Sequence, residues 1–540
     1  MDSSFSRAID NIVHHGDTDI FPFPIENLII FDQKIDIVAL LKSINADFDA
    51  YIIGSPPANY GALSPVGYTG FRWATQIDPV WNAYFLALVI EISDKIENAR
   101  MPTSMEAVYS YRLNGDPTNP DLFDRRFGWR SFIERAVTLS SSHQFVVSCD
   151  ISEFYPRLNH HRLDNALRQL PNADDCRNKI MGFLSNFSET YSFGLPVGGP
   201  ASRILSELTL NQIDRLLYQR QIPFCRFADD FYLFADSEAE AFKSLVFLSE
   251  ILHRNQGLQL QKTKTRIMSS SEFARTNPLT FDVEESNHEG GADLSGVTDA
   301  RASLFRLSLH FDPYSPTANE DYERLRDEID KFPILDILKT ELAKSRINVS
   351  LTRKLIGTLQ YIQSNELNDA ARTLVDNVQL LYPVFFGVLS ALKSIFPRLS
   401  PDAQYYVEGR IRALIEQGSP AMSVDLNLQY AIRLLSALRT EESVSLMTRL
   451  YESTNSIAIR RDIILAMVRW REWIWLSDRR PFFRSMSPME RRAYIMASYV
   501  LKDEGQHWRD HTKKEFSDFE IIVRNWIAER INRPNWELPL

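Results

Sequence analysis

An α+β domain followed by an all-α half is the architecture the sequence predicts. Three observations predict it. Short β-rich runs and helix-period runs alternate up to about Asp282. A polar, glycine-containing stretch, Val283 to Ala300, then interrupts the pattern. From about Arg301 onward only amphipathic helical segments follow. The expected organisation is therefore 1–145 as an N-terminal region, 146–282 as a mixed domain, 283–300 as a linker and 301–540 as a helical domain.

In the mixed domain, Gln144 to Cys149 (QFVVSC) reads as a strand that closes on Asp150. Pro223 to Ala235 (PFCRFADDFYLFA) reads as a hairpin whose turn carries two acids. Helical periodicity fits Ile204, Leu205, Leu208, Ile213, Leu216 and Leu217, and again Ala241 to Leu252. In the helical half the segments are EDYERLRDEIDKF, ILDILKTELAKS, SLTRKLIGTLQYIQ, AQYYVEGRIRALIEQG, LQYAIRLLSALRT, SIAIRRDIILAMVRW and MERRAYIMASYVLKDEG. Their spacing is that of a helical-hairpin solenoid or of a plain bundle, with no strict repeat.

The chain has 540 residues, enough for two to four domains. A formal net charge of −10 argues against a chain-wide nucleic-acid coat but not against a local basic channel. Arginine and tryptophan concentrate late, between Arg460 and Arg492. Both residue types are favoured at protein interfaces and against nucleic acid. The longest apolar run singled out, Ala83 to Ile92, suits a buried helix rather than a membrane span. The opening MDSSFSRAIDNIVHHGD has acids where a secretion signal needs basic and apolar residues, so cytoplasmic residence without a membrane is expected. Three scattered cysteines, Cys149, Cys176 and Cys225, fit buried thiols better than a disulfide framework or a metal site. The adjacent pairs His14-His15 and His160-His161 point apart and are not expected to share a metal.

The acids carry the chemistry. Two carboxylates in an apolar, aromatic hairpin repel one another and lose hydration, and a divalent cation relieves both costs. A strand ending at Asp150 can aim a third carboxylate at that turn if the two segments pair in one sheet. Mg²⁺, or Mn²⁺ in its place, takes oxygen ligands, and a few carboxylates with substrate phosphates suffice. A pair of such ions activates an attacking hydroxyl and stabilises a leaving pyrophosphate.

These residues resemble the motifs of reverse transcriptases. Asp150 in D-I-S-E-F-Y resembles motif A, and Phe227-Ala228-Asp229-Asp230 resembles motif C with Phe in place of the usual Tyr. Gly194 to Arg203 (GLPVGGPASR) is similar to motif B, and Gly257-Leu258-Gln259-Leu260 with Lys264-Thr265 to motif D. The resemblance implies a right-hand palm and fingers, with Asp150, Asp229, Asp230 and the Ile151 carbonyl as metal ligands. It implies that Gly198 and Lys264 meet the nucleotide, Lys264 beside the leaving pyrophosphate. Tyr155 takes the place of a bulky gate against a 2′-hydroxyl, with a core aromatic as the alternative. That bulk disfavours an RNA-dependent RNA polymerase. Val108 to Arg112 resembles a fingers strand, so that Arg112 touches the triphosphate or forms a structural salt bridge.

Val197 stands where many relatives have Gln, and no thumb follows motif D. A helical, HEAT-like domain in that place resembles the abortive-infection and defence-associated reverse transcriptases of bacteria. Arg491-Arg492-Ala493-Tyr494 and Asp503-Glu504-Gly505 are weak motifs of that half. The subgroup implies deoxynucleoside triphosphate substrates, antiviral defence, a homo-oligomer, and untemplated single-stranded DNA joined covalently to a protein hydroxyl. The alternatives are a template-copying enzyme of retron or intron type and a non-catalytic helical scaffold with a vestigial palm.

Overall fold

The computed structural model describes residues 1–18, 24–116, 119–188, 191–276, 334–362, 366–534 and 536–540. The expected linker 283–300 and the segment EDYERLRDEIDKF lie outside the described residues. Six strands are assigned among the described residues. β1 (Asn59–Pro65) and β2 (Phe71–Ile77) form an antiparallel hairpin. β3 (Phe145–Asp150), β4 (Phe224–Phe227), β5 (Asp230–Ala235) and β6 (Arg266–Ser269) form an antiparallel sheet of order β4-β5-β3-β6. The chain divides into two compact units, one from Met1–Asp19, Leu41–Pro57 and Trp81–Tyr322, the other from Ile20–Leu40, Ala58–Val80 and Glu323–Leu540.

The first unit is the mixed α+β domain. Its β3 is apolar on both sides because helices cover it. Val146 and Val147 are fully buried, as are Phe231 and Leu233 on the neighbouring β5. The helix α1 (Ser93–Ala99) precedes the extended run Ala107 to Tyr109, which pairs with the free edge of β4 through Val108 and Arg226. The chain after β3 turns at Glu153, in left-handed backbone, into the short helix α2 (Phe154–Arg157). α3 (Pro200–Gln219) starts with proline in its first turn, where a missing N–H is harmless, and buries Ile204, Leu205, Leu208, Ile213 and Leu217. Those five are the periodic positions read from sequence, and Leu216 alone turns outward. α4 (Glu238–Gln256) is capped by Ser237 at one end and by left-handed Gly257 at the other.

Among its described residues the second unit is helical apart from the β1–β2 hairpin. Tyr60, Ala62 and Ala74 of the hairpin pack with Val424, Leu426, Ala458 and Met489. Two stretches that a linear reading assigns to the N-terminal region thus share a core with the C-terminal helices. The buried ion pairs Arg461–Glu26 and Arg492–Asp78 repeat that pattern. Most arginines between Arg460 and Arg492 are committed in this way. Arg460 pairs with Glu490, Arg479 with Glu452, Arg480 with Glu504, Arg484 with Glu515 and Arg491 with Glu520. The arginines of the Arg-Trp stretch, expected at an interface or on nucleic acid, are therefore largely ion-paired within the unit, Arg480 and Arg484 from exposed positions, while Trp473 stays exposed. The expected segment from Met489 to Gly505 is two helices, Pro488–Ala497 and Lys502–Thr512. Gly505 is what lets them meet, since a Cβ there would stand 1.7 Å from the Ser498 carbonyl.

Val378–Arg398 is long and apolar enough to cross a membrane by length and composition, and is longer than the Ala83–Ile92 run singled out from sequence. Its Phe385, Val388, Leu389, Leu392 and Ile395 are all buried in the unit, as in a core helix.

Candidate active site

The sheet register brings the acids together. β3 and β5 pair so that Asp150 stands opposite Asp230. β5 and β4 pair Asp230 with Phe227, which leaves Ala228 and Asp229 as a two-residue turn. Tight hairpins need positive φ in the loop, and Ala228 supplies it at 51°. Asp229 accepts the Ile151 N–H on its backbone carbonyl at 3.1 Å, which ties the turn to the end of β3. Gln261 donates its backbone N–H to the Asp150 carbonyl at 2.7 Å, so the segment before Lys264 is laced to the same strand end.

Asp150 is buried, while Asp229 and Asp230 are half-buried. Burial, then the charges of Asp229 and Asp150, push the Asp230 carboxyl up to about 7, with Lys264 opposing them. Lys264 forms an ion pair with Asp150 from a largely exposed position. Burial would lower the Lys264 ammonium, but its hydrogen bond to Asp150 and the three surrounding carboxylates raise it. The expected sites Asp150, Ile151, Asp229, Asp230 and Lys264 thus share one end of the sheet.

The donor set fits a hard divalent cation: oxygen ligands, and carboxylates whose charge is disfavoured by burial and by one another, a cost that a cation relieves. Among the described residues no group of three or more His, Cys, Asp or Glu closes into a ready-made metal cage. Oxygens from a nucleotide would complete the coordination, as is usual for Mg²⁺.

Tyr155 lies beside the acids. Burial, the neighbouring Tyr111 and the charge of Asp229 push its hydroxyl well above the ordinary tyrosine range, with Arg203 opposing. Its backbone accepts the Leu195 N–H at 2.9 Å, which joins the motif A helix to the glycine-rich loop. That loop turns at Gly194 (φ 103°) and Gly198 (φ 105°), both in backbone that a side chain would strain. Tyr111 lies tilted against Phe227, ring centroids 5.7 Å apart, and under the Arg203 guanidinium at 5.4 Å.

Arg112 is not part of this group. It is 1% exposed, donates to the Val108 and Met101 carbonyls, and pairs with Glu97 at 2.8 Å. The salt-bridge alternative describes its geometry, because a triphosphate contact would require breaking three bonds, two of them buried. Arg203, nearer the acids, is the cation that sequence reasoning passed over; it stands in the quoted motif B stretch.

A second omission is Arg226, fully buried inside an apolar strand. It donates to Asp214 at 2.7 and 2.6 Å, to Glu207 at 3.1 and 2.9 Å, and to the Ala228 carbonyl at 2.9 Å. Glu207 also binds Arg100 at 2.7 Å and the Ser110 hydroxyl at 2.6 Å. The signal was present in the sequence: a charged residue inside PFCRF, and two acids seven residues apart among the buried positions of one helix. His160 is buried on the Gly194 carbonyl at 2.7 Å, and His15 pairs with Asp121. Cys149, Cys176 and Cys225 are buried free thiols, with burial pushing Cys149 up to about 12.

An antiparallel sheet with two acids in a hairpin turn and a third on the adjoining strand is the catalytic frame of a nucleotide-polymerising palm. Residues 89–288 match the family model described as "Reverse transcriptase (RNA-dependent DNA polymerase)". Residues 89–288 therefore form a domain of the reverse transcriptase type, which the family description gives as an RNA-dependent DNA polymerase. Comparison with curated proteins gives no match. Among solved structures, telomerase from Candida albicans with a fragment of telomeric RNA is similar at 9% identity and a TM-score of 0.29, covering 75% of this chain and 65% of that one. Apo telomerase from Candida tropicalis is similar at 8% identity and a TM-score of 0.27, covering 73% and 74%. The chain thus spans less than two thirds of the first of these.

Proposed function

We propose that this chain polymerises deoxynucleotides with Mg²⁺ held by Asp150, Asp229, Asp230 and the Ile151 carbonyl. The observation that carries the reading is the β3–β5 register, which sets Asp150 against Asp230 with Asp229 in the adjoining turn. Bound Mg²⁺ would lower the barrier by activating the attacking hydroxyl and stabilising the pyrophosphate. The protein's own groups do the rest. Lys264, exposed and charged beside Asp150, neutralises the departing phosphates. Tyr155, held from behind by the glycine-rich loop, limits the sugar to one without a 2′-hydroxyl. The test is to incubate purified protein with each deoxynucleotide, with and without added nucleic acid, and to separate the products under denaturing conditions. Extended product is expected, and its absence from Asp229→Ala/Asp230→Ala protein is the control.

Within that reading, the enzyme serves antiviral defence in the cytoplasm as an oligomer and starts untemplated DNA on a hydroxyl of its own. Support comes from Val197 in the glycine-rich loop and from a helical second unit where a thumb would follow. A template-copying role of retron or intron type predicts a structured RNA encoded beside the gene.

A further inference from the structure

Arg226 has five N–H groups, and all five have acceptors: two bonds to Asp214, two to Glu207 and one to the Ala228 carbonyl. The guanidinium, both carboxylates and Arg100 are buried. Removing such charges from water costs more than ordinary packing, so the arrangement is a poor way to gain stability. What it does supply is direction. Arg226 precedes the turn by two residues, and its bond to the Ala228 carbonyl fixes the peptide plane between Ala228 and Asp229. That plane follows a residue whose φ is +51°, a conformation that a non-glycine residue adopts only under constraint. The plane in turn sets where the Asp229 side chain leaves the backbone. The other end of the clamp is α3, which begins at the glycine-rich loop and carries Glu207 and Asp214.

We propose that Arg226 is a positioning residue, which holds the Ala228–Asp229 turn against α3 so that Asp229 and Asp230 meet one cation and one nucleotide. The proposal rests on the polymerase reading above and deepens it. Lysine cannot replace arginine here, because three N–H groups on a single nitrogen make at most three of the five bonds and lack the planar fork that grips both carboxylates.

The test compares four full-length proteins with wild type. Arg226→Met/Asp214→Asn removes the donor to Ala228 and leaves no uncompensated charge, since Glu207 keeps Arg100. Asp214→Asn alone keeps that donor. Arg226→Lys is the conservative variant, and Asp229→Ala/Asp230→Ala the active-site control. Two quantities are measured: Mn²⁺ affinity in the presence of a deoxynucleoside triphosphate, by electron paramagnetic resonance, and steady-state deoxynucleotide incorporation. With Arg226→Met/Asp214→Asn, kcat should fall about 100-fold, as misplacement of a reacting group by about 1 Å does. KM for the nucleotide should stay within about threefold and Mn²⁺ affinity should drop about tenfold, as for a ligand set held out of register. Asp214→Asn, which loosens one of the two carboxylate anchors but keeps the donor to Ala228, should lie between wild type and the double variant in both. Arg226→Lys should follow the double variant, and it decides the matter should the double variant not fold. Wild-type kcat and Mn²⁺ affinity in folded Arg226→Lys or Arg226→Met/Asp214→Asn protein would overturn the positioning role. Incorporation by Asp229→Ala/Asp230→Ala protein would instead overturn the polymerase reading, a separate outcome.

Discussion

At the scale of single residues, the three non-glycine left-handed residues around the acids stand out: Tyr111, Glu153 and Ala228, with φ of 49°, 49° and 51°. Strain of this kind persists only where surrounding bonds over-determine it, and it gathers at functional sites. The carboxylates store a second kind of strain. Asp230 holds its proton to about pH 7, against an ordinary value of 3.8, because burial and then its acidic neighbours disfavour the charge. A group whose pKa is raised on folding favours the folded state at low pH and withdraws that support as pH rises through the folded value. In metal-free buffer, Asp229→Ala/Asp230→Ala protein should therefore match or exceed wild type in thermal midpoint. The advantage should be smallest near pH 4, grow toward pH 7 and level off above it, while incorporation falls to background. Melting curves at several pH values in chelator check this, and a variant less stable than wild type at pH 8 would contradict it. Tyr155→Val should lower the preference for deoxyribonucleotides over ribonucleotides by roughly 10- to 100-fold, the usual span for one steric contact. Single-nucleotide incorporation with dATP against ATP reads it out, and unchanged selectivity with retained activity would make Tyr155 a core aromatic.

At the scale of elements, a glycine contact gives the next prediction. Gly505 lets the helix Lys502–Thr512 begin against the Ser498 carbonyl. Gly505→Ala should destabilise the helical unit by about 1–3 kcal/mol or more, as overpacking does, and lower its melting transition by circular dichroism. An unchanged midpoint would mean that the helix shifts freely. The same elements show what could be read in advance. The strand ending at Asp150, the Asp229–Asp230 hairpin and the apolar face of α3 were legible because each shows itself within a dozen residues, as alternation, a turn or a helical period. The β1–β2 hairpin was not, because its buried face is small: Tyr60, Ala62 and Ala74 carry little hydrophobic signal, and Gly61 lies beneath the Trp73 ring. The role of Arg226 was hidden for another reason. Its partners Glu207 and Asp214 come from a different element, and a charge inside an apolar strand does not name its counter-ions. Arg112 could not be resolved from sequence because a nucleotide-facing and a buried arginine are the same letter in the same strand.

At the scale of the whole molecule, the question is what starts the strand. Any hydroxyl brought to the cations that these carboxylates would hold would attack a triphosphate as a sugar 3′-hydroxyl does, displacing pyrophosphate and forming a phosphodiester to the side chain. The chain contains 20 tyrosines, besides its serines and threonines. A side chain that ends with a DNA strand attached must open to solvent, which rules out Tyr84 and Tyr494, both fully buried. Tyr191, Tyr218 and Tyr405, each more than half exposed, meet the condition. Priming on the protein predicts that the protein purified after expression carries DNA that survives boiling in detergent. Nuclease should then sharpen the protein band, protease should release the DNA, and peptide mass spectrometry should place the residual nucleotide on an exposed hydroxyl. Asp229→Ala/Asp230→Ala protein should carry none, because the attachment is made by its own active site. The same preparation should sediment as an oligomer across micromolar concentrations, and a monomer would remove that part of the reading. An intact mass equal to the bare polypeptide, with nucleic acid lost on boiling, would refute protein priming while leaving the polymerase chemistry of Asp150, Asp229 and Asp230 to extend an ordinary annealed primer.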